Sequence, residues 1–367
     1  MLTIYSEQHL NHHPELEFFE GELRPYQDSP VRVQYILDAL KQAGLGQVHP
    51  PADHGIQPII DVHAEQYISY LQHAYQDWVA EGGLAAGVYP DTFPHRSGSH
   101  RPARTSGLAG YYCTDLTAII TAGTWQAAYA AAQCALTAAD VVRYGALRGS
   151  AEGPWESACF ALCRPPGHHA GYDYCGGYCF LNNAAIAAQA LTGMDTAPTN
   201  SPNVGVKAAR RVAVLDIDFH HGNGTQAVFY SRADVLYVSL HADPNRQYPY
   251  FSGSADECGE GEGTGYTVNF PLPKGIDDQS YLAVLDRAEE RIAAMQPHYL
   301  VVSLGVDTCL DDPLGDFALT DNAYPSIGER LAQLGLPTVF IMEGGYANRQ
   351  LGRHVVDVLS GFQSNYN

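Results

Sequence analysis

Short, uninterrupted apolar runs alternate along the chain with longer stretches whose apolar positions recur every three to four residues. The runs are SACFALC (157–163), RVAVLDID (211–218), VLYVSLH (235–241), YLVVSLGV (299–306) and PTVFIM (337–342). None shows the strict apolar and polar alternation of a half-exposed strand, so each reads as a strand buried on both faces. Helical periodicity covers 31–43 behind Pro30, 64–80, 116–143, 182–192, 278–295, 323–334 and 350–362. Strand and helix in alternation predict parallel βαβ units. The fold class is therefore α/β: a single-domain, three-layer α/β/α arrangement over residues 1–367 around a central, mostly parallel β-sheet.

Three segments break this pattern: 81–109, 193–207 and the glycine-rich, acidic 242–265. A loop as long as 81–109 inside a compact domain is usually functional or an oligomer contact.

Composition narrows the function classes. Hydrophobic residues make up 46% and charged residues 16%, which suits a globular chain and excludes a disordered one. Lysine and arginine number 20 against 40 aspartate and glutamate, a net charge of −20. Such a surface repels phosphate backbones and anionic lipid, so neither nucleic acid nor membrane is an expected partner. It can steer a small cation toward a cleft, or serve solubility alone. Eight cysteines without a paired C-x-x-C make neither a disulfide framework nor a zinc ribbon, and fit the reduced thiols of a cytoplasmic protein. The stretch from Met1 to Glu22 lacks a basic start followed by an apolar run, so no secretory leader is predicted.

What each strand runs into carries the chemistry. The five runs lead to RPPGHHAG, FHHGNGT, ADP, Asp307 and EGGY, respectively for 157–163, 211–218, 235–241, 299–306 and 337–342. Open parallel sheets bind ligands at the carboxyl ends of their strands, so these groups should meet at one edge. Asp218 and His220, two apart, can turn a carboxylate and an imidazole toward one point, and Asp307 can complete the set. Three oxygen and nitrogen ligands with open positions suit a catalytic zinc. Asp216 can accept the second ring proton of one of the tandem histidines His168 and His169, fixing its tautomer. Tyr346 follows two glycines that allow close backbone approach. Taken singly, each has a plain structural reading: a surface acid, a hydrogen-bonded loop histidine, a packed tyrosine among 24. Their convergence on strand ends favours chemistry.

RPPGHHA, GGYCFLNNAA, LDIDFHHGNGTQ, VSLH, GVDT and EGGY, in this order, resemble the histone deacetylase superfamily of the arginase/deacetylase fold, most closely its bacterial acetylpolyamine amidohydrolases. The resemblance runs from Tyr5 to Leu359. YSEQH, GEL at 21–23, YYC at 111–113, GTW at 123–125 and GVDT at 305–308 favour the polyamine branch. The resemblance implies a zinc-dependent deacetylase in which Asp218, His220 and Asp307 bind zinc, His168 and His169 flank the attacking water, and Tyr346 faces the substrate carbonyl. It further implies a substrate tunnel walled by Gly177, Tyr178 and Tyr248. A structural potassium would lie among Asp216, Asp218, His220, Ser239 and Leu240. Glu17 and Glu20 would border the tunnel mouth, where a carboxylate can pair with a distal ammonium. The 81–109 insertion resembles a loop through which such relatives form homodimers and narrow the tunnel. Asn223 stands where some relatives carry aspartate, leaving the second tandem histidine without a charged partner. The implied substrates are small cationic amines of the acetylputrescine, acetylcadaverine and acetylspermidine type. A class II-like acetyl-lysine protein deacetylase and a non-catalytic acetyl-amine sensor remain as alternatives.

Overall fold

A computed structural model describes residues 1–94, 100–148, 157–193 and 210–366. Its strands are β1 (Leu2–Ile4), β2 (Leu16–Phe19), β3 (Glu22–Pro25), β4 (Val48–His49), β5 (Ala158–Ala161), β6 (Val212–Asp216), β7 (Val235–Ala242), β8 (Thr267–Leu272), β9 (Tyr299–Leu304) and β10 (Thr338–Met342). Eight of them form one sheet in the order β4-β1-β5-β10-β9-β6-β7-β8, with every neighbouring pair parallel. The five apolar runs of the sequence are the five contiguous central strands, and every residue of these strands is buried. Their carboxyl ends therefore lie side by side on one edge. β2 and β3 form a separate antiparallel hairpin.

The helices are α1 (Val31–Ala43), α2 (Gln57–Ile60), α3 (Glu65–Ala80), α4 (Thr105–Tyr111), α5 (Thr124–Arg148), α6 (Asn183–Thr192), α7 (Asn223–Phe229), α8 (Asp278–Met295), α9 (Ala323–Gln333) and α10 (Asn348–Asn365). Successive strand side chains point to opposite faces, and two apolar layers result. Cys159, Ala161, Val214, Val301 and Ile341 pack with residues of α3, α5 and α6. Phe160, Leu215, Val302 and Phe340 pack with α1, α8, α9 and α10. This is the three-layer arrangement that the alternation predicts.

Two expectations change. The predicted helix 116–143 begins only at Thr124. Ala118, Ile119 and Ile120 are apolar because they are buried in a non-helical wall, where Val88 bridges Ile120. The segment 81–109 is not irregular throughout, since α4 starts at Thr105. That helix lies so close to the chain at Thr92 that a Cβ on Gly110 would overlap the Thr92 carbonyl. Beyond Gly193, the predicted connection 193–207 lies outside the described residues. No helix among the described residues is long and apolar enough to cross a membrane. All eight cysteines are free, and only Cys258 is exposed.

Candidate active site

The turn after β5 carries the tandem histidines, and buried charges hold it in place. Arg164 donates to the carbonyls of Asp28, His9 and His12 at 3.1, 2.8 and 2.9 Å. Glu343, at the end of β10, accepts from the backbone N–H of Gly167 and of His168 at 2.6 and 3.2 Å. Two adjacent strand ends are thereby locked together.

Asp218 and His220 follow β6, and Asp307 follows β9, the neighbouring strand. One ligand atom from each lies within 4.8 Å of the others. His220 Nδ1 is 3.1 Å from Asp307 Oδ2 and 3.4 Å from Asp218 Oδ1. The second oxygens are spent on the backbone: Asp218 Oδ2 accepts from Gly344 N at 2.8 Å, and Asp307 Oδ1 from Phe219 N at 2.9 Å. Each carboxylate thus turns one oxygen inward on a fixed frame. Burial, then the charge of Asp218, pushes the Asp307 carboxyl up to about 7. Burial opposes charge on Asp218 too, but His168 and His220 outweigh it and lower that carboxyl. Burial also opposes a charged His220, yet its bonds to both carboxylates hold it at about 9. Two carboxylates and one imidazole converging at the cavity floor match the donor set and ligand number of a catalytic divalent-cation centre such as zinc.

The two tandem histidines have different partners. His168 Nδ1 lies 3.1 Å from Asp216 Oδ2, which also accepts from the Tyr237 hydroxyl at 3.1 Å. Burial works against an imidazolium at His168, but Asp218 and Asp216 raise it to about 10. His169 Nδ1 lies 2.8 Å from Asn223 Oδ1, a neutral amide. Burial, then the neighbouring His168 and His220, pushes His169 well below 6.5. One ring is set up as a charged donor and the other as a neutral base.

These groups open into a cavity of about 380 Å³, whose lining includes His168, His169, Gly177, Tyr178, Asp218, His220, Tyr248 and Tyr346. Phe18, Phe19, Glu20, Asp115 and Tyr250 are further lining residues. Tyr346 lies with its ring 5.7 Å from that of Tyr178. Its N–H donates to Asp312 Oδ2 at 2.6 Å, and the Arg32 guanidinium sits 4.7 Å from its ring centre. Arg32 also donates to the carbonyls of Gly345 and Glu343, both at 2.7 Å. Burial raises the Tyr346 phenol well above 10, so it is a proton-bearing donor.

The structure brings together nearly all the residues singled out from sequence. Asp216 lies opposite Ser239 in the β6–β7 register, and both are buried with Leu240. The Ser239 hydroxyl is 2.7 Å from His241 Nδ1. Glu20 lies in the cavity lining, whereas Glu17 stands behind it, bonded to the wall residue Tyr178. The cross-strand partner of Glu17 is Arg24, whose Nε donates to Glu17 Oε1 at 2.6 Å, and the carboxylate is fully buried between the hairpin and Tyr178. Residues that the sequence reading left without a role are Glu343, Arg32 and Asp312. Arg32 had a legible signal: it shares a helical face with Ile36 and Leu40, where a charge must find a buried partner. It pairs with Asp28.

Residues 26–362 match the family model for the histone deacetylase domain. Acetylpolyamine amidohydrolase 1 of Pseudomonas aeruginosa is 47% identical over 366 residues, covering 99% of each chain. The acetylpolyamine amidohydrolase of Mycoplana ramosa is 41% identical over 362 residues, 98% of this chain and 99% of its own. The crystal structure of acetylpolyamine aminohydrolase from Burkholderia pseudomallei, from an iodide soak, matches with a TM-score of 0.88 at 38% identity, covering 100% of this chain and 99% of that one. Parallel sheet, strand-end cluster and family match agree: the chain belongs to the histone deacetylase family and is a deacetylase.

Proposed function

We propose that this deacetylase is zinc-dependent and hydrolyses small N-acetylated polyamines to acetate and the free amine. The observation that carries the reading is the cavity itself. It is walled by Tyr178 and Tyr248, ends on Asp218, His220 and Tyr346, and has Glu20 among its lining residues. A slender acetylated amine with a distal ammonium fits that combination, and the names of the bacterial relatives point the same way.

Zinc held by Asp218, His220 and Asp307 would polarise the acetamide carbonyl and acidify a water. His169, neutral and held by Asn223, takes the water proton. Tyr346 donates its hydroxyl proton in a hydrogen bond to the developing oxyanion, a contribution of about 3 kcal/mol for one such donor. The histidine pair returns a proton to the leaving nitrogen, so water and amide become acetate and amine. Asp216, Asp218, Ser239 and Leu240, all buried, together with the partly buried His220 would offer side-chain and carbonyl oxygens to potassium. We take 1–367 as one catalytic domain, cytoplasmic on the strength of its free thiols. We also take it as a homodimer through 81–109, a segment that exposes Leu84 and Phe93.

The test is kcat/KM of the zinc-loaded protein on N-acetylputrescine, acetylspermidine and an acetyl-lysine tripeptide, with Tyr346→Phe as control. Preference for the acetylpolyamines by about a hundredfold or more supports the reading. A peptide turned over equally well moves the function to protein deacetylation. No turnover of any substrate leaves a non-catalytic sensor.

A further inference from the structure

Between Arg101 and Thr117 the chain has one acid, Asp115, and its two oxygens are divided among three separate pieces of the cavity wall. Oδ1 closes its own turn, accepting from Thr117 N and Thr117 Oγ1, both at 2.8 Å, and from Ala118 N at 3.3 Å. Oδ2 accepts from Gly177 N and from the Tyr248 hydroxyl, both at 2.7 Å, with Thr114 Oγ1 at 3.3 Å. Gly177 and Tyr248 lie 62 and 133 residues away in sequence. Charge-assisted bonds of this length are among the stronger ones in proteins.

Both distant partners bear on the same imidazole. Gly177 has a φ of +51°, and a Cβ there would run into Cδ2 of His169. On the other flank, the Tyr248 ring meets the His169 ring edge-on, with centroids 4.9 Å apart and planes at 88°. Asn223 holds Nδ1 of that ring, which fixes one atom but leaves the ring free to swing about it. The Gly177 backbone and the Tyr248 ring close the two sides.

We infer that Asp115 is a positioning residue for His169, gripping the Gly177 backbone and the Tyr248 hydroxyl so that the imidazole is held from both flanks. A phenylalanine at 248 would supply the same ring. The hydroxyl gives Asp115 its hold on that ring. The inference rests on the deacetylase reading only for the choice of substrate in the kinetic measurement.

The experiment compares wild type with Tyr248→Phe, Asp115→Asn and the double variant in three readouts. On N-acetylputrescine, each single variant should lose about tenfold or more in kcat with KM little changed, since small misplacements of a reacting group cost rate rather than binding. The double variant should be no worse than the poorer single, because both cut one link. Thermal unfolding of Tyr248→Phe should match wild type. In protein labelled with 15N-histidine, the His169 ring resonance, assigned by its loss in His169→Asn, should move or broaden in both single variants. Losses that multiply, a rise in KM alone, or a kcat loss matched by a fall in melting temperature would overturn the positioning role. An unmoved His169 resonance would overturn it even if wild type hydrolysed no acetylated amine, an outcome that would instead sink the proposed function.

Discussion

The floor and the rim of the cavity are built differently. On the floor, Asp218, Asp307 and Glu343 stand just beyond adjacent, fully buried parallel strands, and each carboxylate accepts a backbone N–H. The rim includes the two-stranded β2–β3 hairpin, which exposes Leu16, Phe18 and Leu23, and the loop carrying Tyr250 and Phe251, the latter 89% exposed. A two-stranded hairpin is marginally stable alone, whereas the central strands share a core with helices on both faces of the sheet. Bond-making chemistry therefore sits where the fold is least free to move. On the proposed reading, selectivity would rest on segments that can change sequence without disturbing the sheet.

Substitutions should respect that division, and the floor should give the larger losses. Asp307→Ala removes one of the three proposed zinc ligands and leaves His220 Nδ1 without its carboxylate partner at 3.1 Å. Loss of kcat/KM by about a thousandfold or more is expected, and zinc content by elemental analysis should fall with it. Retained zinc with near-native rate would remove Asp307 from the centre. Tyr346→Phe keeps the ring above which Arg32 lies and deletes one donor. Its kcat should fall by about a hundredfold to a thousandfold, with melting temperature unchanged. A change of less than about threefold would end its role at the oxyanion.

Acid should also act on the supports beneath the floor. His63 Nδ1 is 2.7 Å from Gly171 O, and its Nε2 accepts from Asn182 N at 2.9 Å, so the folded ring has no room for a second proton. Burial pushes His63 down to about 4 and His12 down to about 3. In the unfolded chain both titrate near 6.5, so as pH falls below 6.5 the unfolded state takes up protons first and stability drops until the folded values are reached. The loss at pH 5 is about 2 kcal/mol for each ring. Chemical unfolding of His63→Asn against wild type checks this. Whatever the wild-type advantage at pH 7, it should shrink by about 2 kcal/mol at pH 5, and a constant difference would contradict the buried neutral assignment.

The same division explains what was legible in the sequence. β5, β6, β7, β9 and β10 could be read because burial on both faces leaves a continuous apolar run, and every run but that of β7, whose Asp243 bonds Asn245, leads into a group that lines or supports the cavity floor. β1 has three residues and β4 two, both of the latter exposed, too short to carry a pattern. β8 mixes buried and half-buried positions and contains Pro271. Residues 116–123 misled because apolarity reports burial and not helix. Glu17 and Glu20 were equivalent as sequence, since only the folded hairpin sets one in a strand opposite Arg24 and the other in the turn beside the cavity. Asp115 was visible as a lone acid, but no spacing reveals that residues 62 and 133 positions away share its oxygen.

The smallest effect belongs to Glu20, where the rim reading is most open to being broken. Glu20 and Gly21 form the two-residue turn between β2 and β3, with φ of +49° and +89°. Such turns favour Asn-Gly or Asp-Gly, because both residues must be left-handed, so glutamate is conformationally a poor choice here. The residue lies in the cavity lining, and a charge needed there is a reason to tolerate that conformation. Glu20→Gln keeps length and turn and removes the charge. KM for N-acetylputrescine should rise by about three- to tenfold with kcat unchanged, and the rise should fade as salt screens the exposed pair. KM for a neutral acetamide of equal length, such as N-butylacetamide, should not move. Equal effects on both substrates would mean that Glu20 shapes the hairpin and does not recognise an ammonium, and the charge-reading function of the rim would have to lie elsewhere.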